Sequence, residues 1–339
     1  MPRILRIPLM PAAVALAMIG AAALRAQDQF PFENELLARK RVFSVIGPGF
    51  RAIHPGPNGR YYILTAPAPA VQIFDGTGAR LGQAPNTATA AAKSSALVYG
   101  ESFDVDAAGN VVVADRGADA VKLYTPDGAL ALNVPVNAPS SVVLLSGGEI
   151  AVVNSTSSHL ITVFDMTGKS GREFGNLEDV TPNNGVNRLA NLGDLARDAA
   201  NNIYFAFDFV PEPTVRKYDR GGYVDFEISL NTLEFEASAE SARKSMARTD
   251  TKTPVLHRII TALGVDPANQ DVWFAMGTLL IHFDKDGKRL ANYRIYTASG
   301  ARLEASAILV EPDRLLIGND PLGIYEFARP DKIQPGVAQ

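Results

Sequence analysis

The stretch FDVDAAGNVVVADRGADAVKLYTPDG, residues 103–128, decides the fold. An alternating segment meets a turn at Asp106-Ala107-Ala108-Gly109. A β-branched run, VVVA at 111–114, follows. After a polar loop comes VKLY at 121–124, and then a second turn at Thr125-Pro126-Asp127-Gly128. Short apolar runs bounded by Asp, Gly and Pro clusters read as strands joined by hairpins.

The phrase recurs at residues 60–78, 149–168, 202–222, 271–287 and 314–331, the last copy being the most degenerate. Each copy carries an aromatic just before its second turn: Phe74, Tyr124, Phe164, Tyr218, Phe283 and Phe327. From the first turn to that aromatic the chain takes 14 to 16 residues in every copy. From the aromatic to the next first turn it takes 24 to 51. The constant half is scaffold. The variable half holds an outer strand, the next inner strand and all large insertions. Four antiparallel strands per repeat mark a β-propeller. Six copies predict an all-β, six-bladed β-propeller of four-stranded antiparallel blades over residues 41–331. The last copy lacks a fourth strand, and RVFSVI at 41–46 is a strand with no copy before it. The N-terminus is therefore expected to supply the outer strand of the sixth blade and close the ring, which protects a sheet edge.

With its DxxGN turn, its VVVAD run and its hairpin before Asp127-Gly128, the 103–128 segment resembles an NHL repeat. More broadly the chain is similar to secreted bacterial six-bladed propellers of the NHL and TolB-like kind. The resemblance covers nearly all of 41–331. It implies the architecture and leaves the chemistry open, because such folds host lyases, lactonases, sugar and peptide binders and pure scaffolds.

Residues 1–26 read as a secretory signal peptide. Arg3 and Arg6 precede an apolar run at 9–24, which ends in small residues at Ala21-Ala22-Ala23 and Ala26. Residues 27–40 read as an N-terminal extension and 332–339 as a tail. The run is shorter than a spanning helix requires, so no stable membrane span is expected after cleavage. A periplasmic or secreted monomer is expected. The 339 residues include no Cys, which excludes a disulfide scaffold, thiol catalysis and Cys-ligated metal. The formal charge is −4. Loss of Arg3, Arg6 and Arg25 with the leader would leave 29 basic against 36 acidic residues, a charge of −7. Acidity and export both argue against nucleic acid as a partner.

In such blades the tight turns share one face, and the second-to-third loops and inter-blade connections share the other. The insertions at 83–99, 176–192 and 230–258 all fall on that second face, where variable loops on a rigid scaffold carry function. The longest, 230–258, is predicted to hold a helix near 236–248, with Glu240 four residues before Lys244. It reads either as a lid or as a solvated excursion. Second strands end in Asp115, Asn154, Asp208 and Asn319-Asp320. With Glu101 and Asp194, such oxygens at the channel mouth suit Ca²⁺ or Mg²⁺. Resemblance to gluconolactonase-like propellers implies a metal-dependent hydrolase or lyase built on that set. The bland reading is that each caps its own loop. Arg51, Arg116, Arg188 and Phe209 are candidates for contacting a protein, peptide or glycan ligand. His54, His159, His257 and His282 fall at different depths and do not predict a three-His metal site. Two functions follow: a binding or scaffold protein presenting its loop-rich face, and a metal-dependent enzyme at the channel mouth.

Overall fold

The computed structural model describes residues 34–66, 69–86, 95–247 and 256–332, all within one compact unit running from Pro31. The expected leader at 1–26 lies outside the described residues, as does most of the tail at 332–339. Two short strands, β1 (Asn34–Leu37) and β2 (Lys40–Val42), open the described chain. Blade one comprises β3 (Phe50–Pro55), β4 (Tyr61–Thr65), β5 (Ala70–Phe74) and β6 (Arg80–Ala84). Blade two comprises β7 (Gly100–Val105), β8 (Val111–Asp115), β9 (Ala120–Tyr124) and β10 (Leu130–Pro135). Blade three comprises β11 (Pro139–Leu144), β12 (Ile150–Asn154), β13 (His159–Phe164) and β14 (Ser170–Asn176). Helix α1 (Asn184–Ala190) leads into blade four: β15 (Gly193–Arg197), β16 (Ile203–Phe207), β17 (Thr214–Tyr218) and β18 (Val224–Ser229). Helix α2 (Leu233–Met246) precedes blade five: β19 (Ala262–Val265), β20 (Val272–Met276), β21 (Leu279–Phe283) and β22 (Arg289–Tyr296). Blade six comprises β23 (Ala307–Val310), β24 (Arg314–Asn319) and β25 (Gly323–Ala328). The fold is the six-bladed propeller that the repeat predicts.

Closure also follows the expectation, with one difference. Strand β2 pairs antiparallel with β25, Val42 opposite Ile324, as the outer strand of blade six. It is shorter than 41–46, because Phe43 takes φ 48° and turns the chain inward. The preceding segment is not a plain extension. Strand β1 pairs in parallel with β22, Asn34 opposite Tyr293, and makes blade five a five-stranded sheet. Leu36 alone of its four residues is buried, against Trp273, Tyr293 and Ile295. One strap thus covers the outer edges of two successive blades.

The turns are held by one device. Asp106 Oδ1 accepts from the amides of Ala108 and Asn110 at 2.9 and 2.8 Å. Gly109 sits between them at φ 89°, which suits a residue without Cβ. Asp75, Asp165, Asp219 and Asp284 repeat the i+2 and i+4 pattern in the second turns. Short polar side chains favour turns by this local bonding.

The core lies between blades. The recurrent aromatics of the repeat sort one by one into the six interfaces. Phe74 packs with Leu316 of blade six, Tyr124 with Leu64 of blade one, and Phe164 beside Val134 of blade two. Tyr218 joins Phe174 of blade three, Phe283 joins Tyr204 of blade four, and Phe327 joins Trp273 of blade five. Each therefore pins its blade against the one before it. Helix α2 starts three residues earlier than expected. It buries Phe235, Ala239, Ala242 and Met246 on one side, and Phe235 enters the blade four/five interface. Glu240 and Lys244 pair at 2.7 Å, as their spacing predicts.

Candidate functional site

The inner strands β3, β7, β11, β15, β19 and β23 line a central cavity of about 610 Å³. That volume lies within the range of small-molecule sites. Close approach of the strands restricts side chains here. A Cβ on Gly193 would stand 2.1 Å from the Ala206 carbonyl oxygen.

At the loop-rich end the wall is charged. Arg51, Glu101, Arg116, Asp194, Asp208, Arg258 and Asp320 line it, with Phe209 and Leu256 as apolar members. Arg258 Nη2 reaches Asp194 Oδ2 at 2.5 Å and Asp208 Oδ1 at 3.2 Å, and its Nε lies 3.0 Å from Asp208 Oδ2. Burial pushes the Asp208 carboxyl well above its ordinary value. Asp194 adds to the rise, Arg258 opposes it, and Glu101 contributes. Its burial follows from its place at the end of β16, where Ile259 donates to its carbonyl at 2.5 Å. Arg51 Nη2 donates to Tyr99 Oη at 2.6 Å, and its guanidinium lies 5.2 Å from that ring. The buried Arg51 Nε has no hydrogen-bond partner among the described residues. The side chains of Glu101 and Arg116 likewise make no hydrogen bond or ion pair with a described residue, although Glu101 acts electrostatically on Asp208 and Arg258.

At the tight-turn end His54, Asp104 and Arg197 meet. Asp104 accepts from the amides of Val105 and Leu144 at 2.7 and 2.9 Å and from Arg197 Nε at 3.0 Å. His54 Nδ1 stands 3.7 Å from Asp104, and its ring meets Phe103 edge-on. Burial holds its pKa below the ordinary value, against the pull of Asp104.

The structure gathers some of the candidates and disperses others. Arg51, Glu101, Arg116, Asp208, Phe209 and Asp320 share the cavity wall. Arg188 is exposed on α1 and is not among the lining residues. Asn154 caps its own loop, accepting from Thr156 and Ser157 at 3.0 and 2.9 Å. Asp320 accepts from Gly49 N at 2.8 Å and so ties blade six to the start of blade one. Asp115 is wholly buried. It accepts from Lys122 Nζ at 2.7 Å and from the amides of Val98 and Tyr99 at 3.1 and 2.8 Å. Among the described residues, no group of three or more His, Cys, Asp or Glu is placed to hold a metal ion. Asn154, Asp115 and Asp320 are each held by a different neighbour, Asp194 and Asp208 share Arg258, and Glu101 has no hydrogen-bond or ion-pair partner among the described residues. His159 faces Glu173 at 3.3 Å, and His282 stacks on Trp273 at 3.7 Å between ring centres while bonding Asp271. These two lie in different blades, away from His54.

No sequence pattern marks Arg258. It follows the longest insertion, and no repeat places it. Only its position ahead of an inner strand hinted at the mouth. Helix α2 contributes no residue to the cavity; of the described part of 230–258, Leu256 and Arg258 do.

No family model and no curated protein matches the chain. Solved structures of six-bladed propellers do. Virginiamycin B lyase from Staphylococcus aureus superposes with TM-score 0.51 at 13% identity, over 83% of this chain and 95% of that one. A catalytically inactive variant of the same lyase with quinupristin gives 0.52 at 14%, over 84% and 96%. A Bacteroides thetaiotaomicron protein of unknown function gives 0.53 at 11%, over 84% and 70%. At such identities the likeness establishes the fold.

Proposed function

We propose that the chain is an exported binding protein whose loop-rich face receives a peptide or glycan at the mouth of the central cavity. The carrying observation is the mouth itself. It is an enclosure of about 610 Å³ opening beside Arg116, Phe209 and Leu256, with charged groups that no described residue satisfies. A rigid ring that presents variable loops suits recognition. Export rests on the leader-like residues 1–26, and the NHL-like phrase at 103–128 fits a scaffold role. A fluorescence-polarisation screen of peptide and glycan libraries tests the reading. Ligands should lose at least tenfold in affinity on Arg116→Ala and Phe209→Ala. Binding unchanged within twofold by both would place the ligand elsewhere and overturn it.

A second reading, lyase or hydrolase chemistry at the same mouth, is favoured by Asp208. A buried carboxyl with raised proton affinity beside a cavity is suited to general acid–base work. Turnover lost in Asp208→Asn with ligand affinity retained would support it. Among the described residues no group of three or more His, Asp or Glu is placed to hold Ca²⁺ or Mg²⁺, and calorimetric titration of the full chain with either ion tests that version.

A further inference from the structure

We infer that the ligand of this mouth is a zwitterion of the free-peptide class, bearing an ammonium and a carboxylate. The inference rests on the binding reading above and deepens it. Six of the seven charges at the loop-rich end divide into two poles, and the seventh, Asp320, is held by the amide of Gly49. Arg51 and Arg116 form the basic pole, where blades one and two meet: Arg51 is bonded to Tyr99, and Gly117, next to Arg116, donates to the Tyr99 carbonyl. Glu101, Asp194 and Asp208 form the acidic pole, coupled electrostatically around Arg258. Arg258 pairs with Asp194 and Asp208, and Glu101 has no ion-pair partner among the described residues, so a carboxylate is left over at the acidic pole. At the basic pole neither Arg51 nor Arg116 has a described carboxylate partner.

The two poles select among ligands by the cost of desolvation. Covering a charge without supplying a partner is unfavourable. An uncharged glycan would offer Glu101 and Arg116 hydroxyl groups but no countercharge. A simple anion would satisfy the arginines and leave Glu101 without a countercharge. A simple cation would do the reverse. A molecule carrying both charges completes both poles. The buried Arg51 Nε adds a reason for the basic pole to respond. A buried donor left without an acceptor is unfavourable, so reorientation onto an incoming carboxylate relieves it.

The test uses the full chain and calorimetric titration with a panel of unblocked dipeptides. Each is compared with its N-acetylated and its C-amidated form. At least one unblocked dipeptide should bind, and either block should weaken it tenfold or more. Glu101→Gln should abolish the penalty for acetylation and leave that for amidation. Arg116→Gln should do the converse. Neither side chain is hydrogen-bonded to a described residue, so melting temperatures serve as a control and should not move. Blocked and free forms binding within twofold of one another would overturn the zwitterion while leaving the mouth as the binding site. Free dipeptides that bind equally well to both variants would place them away from the mouth and overturn both readings. A panel with no binder would overturn the zwitterion alone, since the library screen tests the mouth independently.

Discussion

A buried carboxylate is tolerable only while its oxygens are matched by donors. Asp115 meets that condition with one ammonium and two amides, and the match explains its role. It clamps the segment before β7 that carries Tyr99, which in turn holds Arg51 at the cavity. Asp115 is thus a positioning residue for the mouth, although its place at a strand end is the same as that of Asp208. The two cannot be told apart in the sequence, because the difference lies in what crosses the strand end: Lys122 from the same blade in one case, Arg258 from an insertion in the other. Breaking the Asp115 pair by Lys122→Met should cost about 3–5 kcal/mol, as removal of one partner leaves an uncompensated buried charge. The double change with Asp115→Asn should cost less than Lys122→Met alone. Denaturant melts of the three chains measure this, and a Lys122→Met chain within about 1 kcal/mol of the parent would show that Asp115 is not held this way.

At the scale of elements, the repeat was legible because every blade meets the same physical demands. A turn Asp bonds its own loop, and the aromatic just before the second turn fills the gap to the preceding blade. Those demands recur, so they print a period on the sequence. The strap before Phe43 meets a demand that arises once. Strand β1 pairs in parallel, has four residues, and buries only Leu36. NELL therefore carries no alternation long enough to read. The same reasoning covers Arg258, which obeys no repeat. Leu36→Ala should cost about 2–5 kcal/mol, the usual range for a buried leucine. It should also uncover the β22 edge, a template for pairing between chains. A lower melting temperature together with concentration-dependent association in sedimentation would confirm the strap's role. An unchanged midpoint would mean that β1 adds nothing to blade five.

For the whole molecule, six inter-blade cores in a closed ring imply that damage at one interface is felt at all of them. The chain has no disulfide to localise it, having no Cys. Further ties cross the closure. Tyr61 of blade one bonds Glu311 at 2.6 Å and Arg314 at 2.8 Å, and Arg314 reaches Glu326 of blade six at 2.8 Å. The sole tryptophan, Trp273, is fully buried in blade five and reports on that blade by its fluorescence. Phe74 lies across the closure, between blades six and one. Truncating it in Phe74→Ala should cost about 3–5 kcal/mol through the cavity it leaves. If the ring unfolds as a unit, the Trp273 midpoint should fall by the same amount as the far-UV circular dichroism midpoint, although the substitution touches neither Trp273 nor its neighbours. A dichroism transition that splits or moves while the Trp273 signal stays in place would instead mean that the blades melt in sequence, as an open array of repeats does.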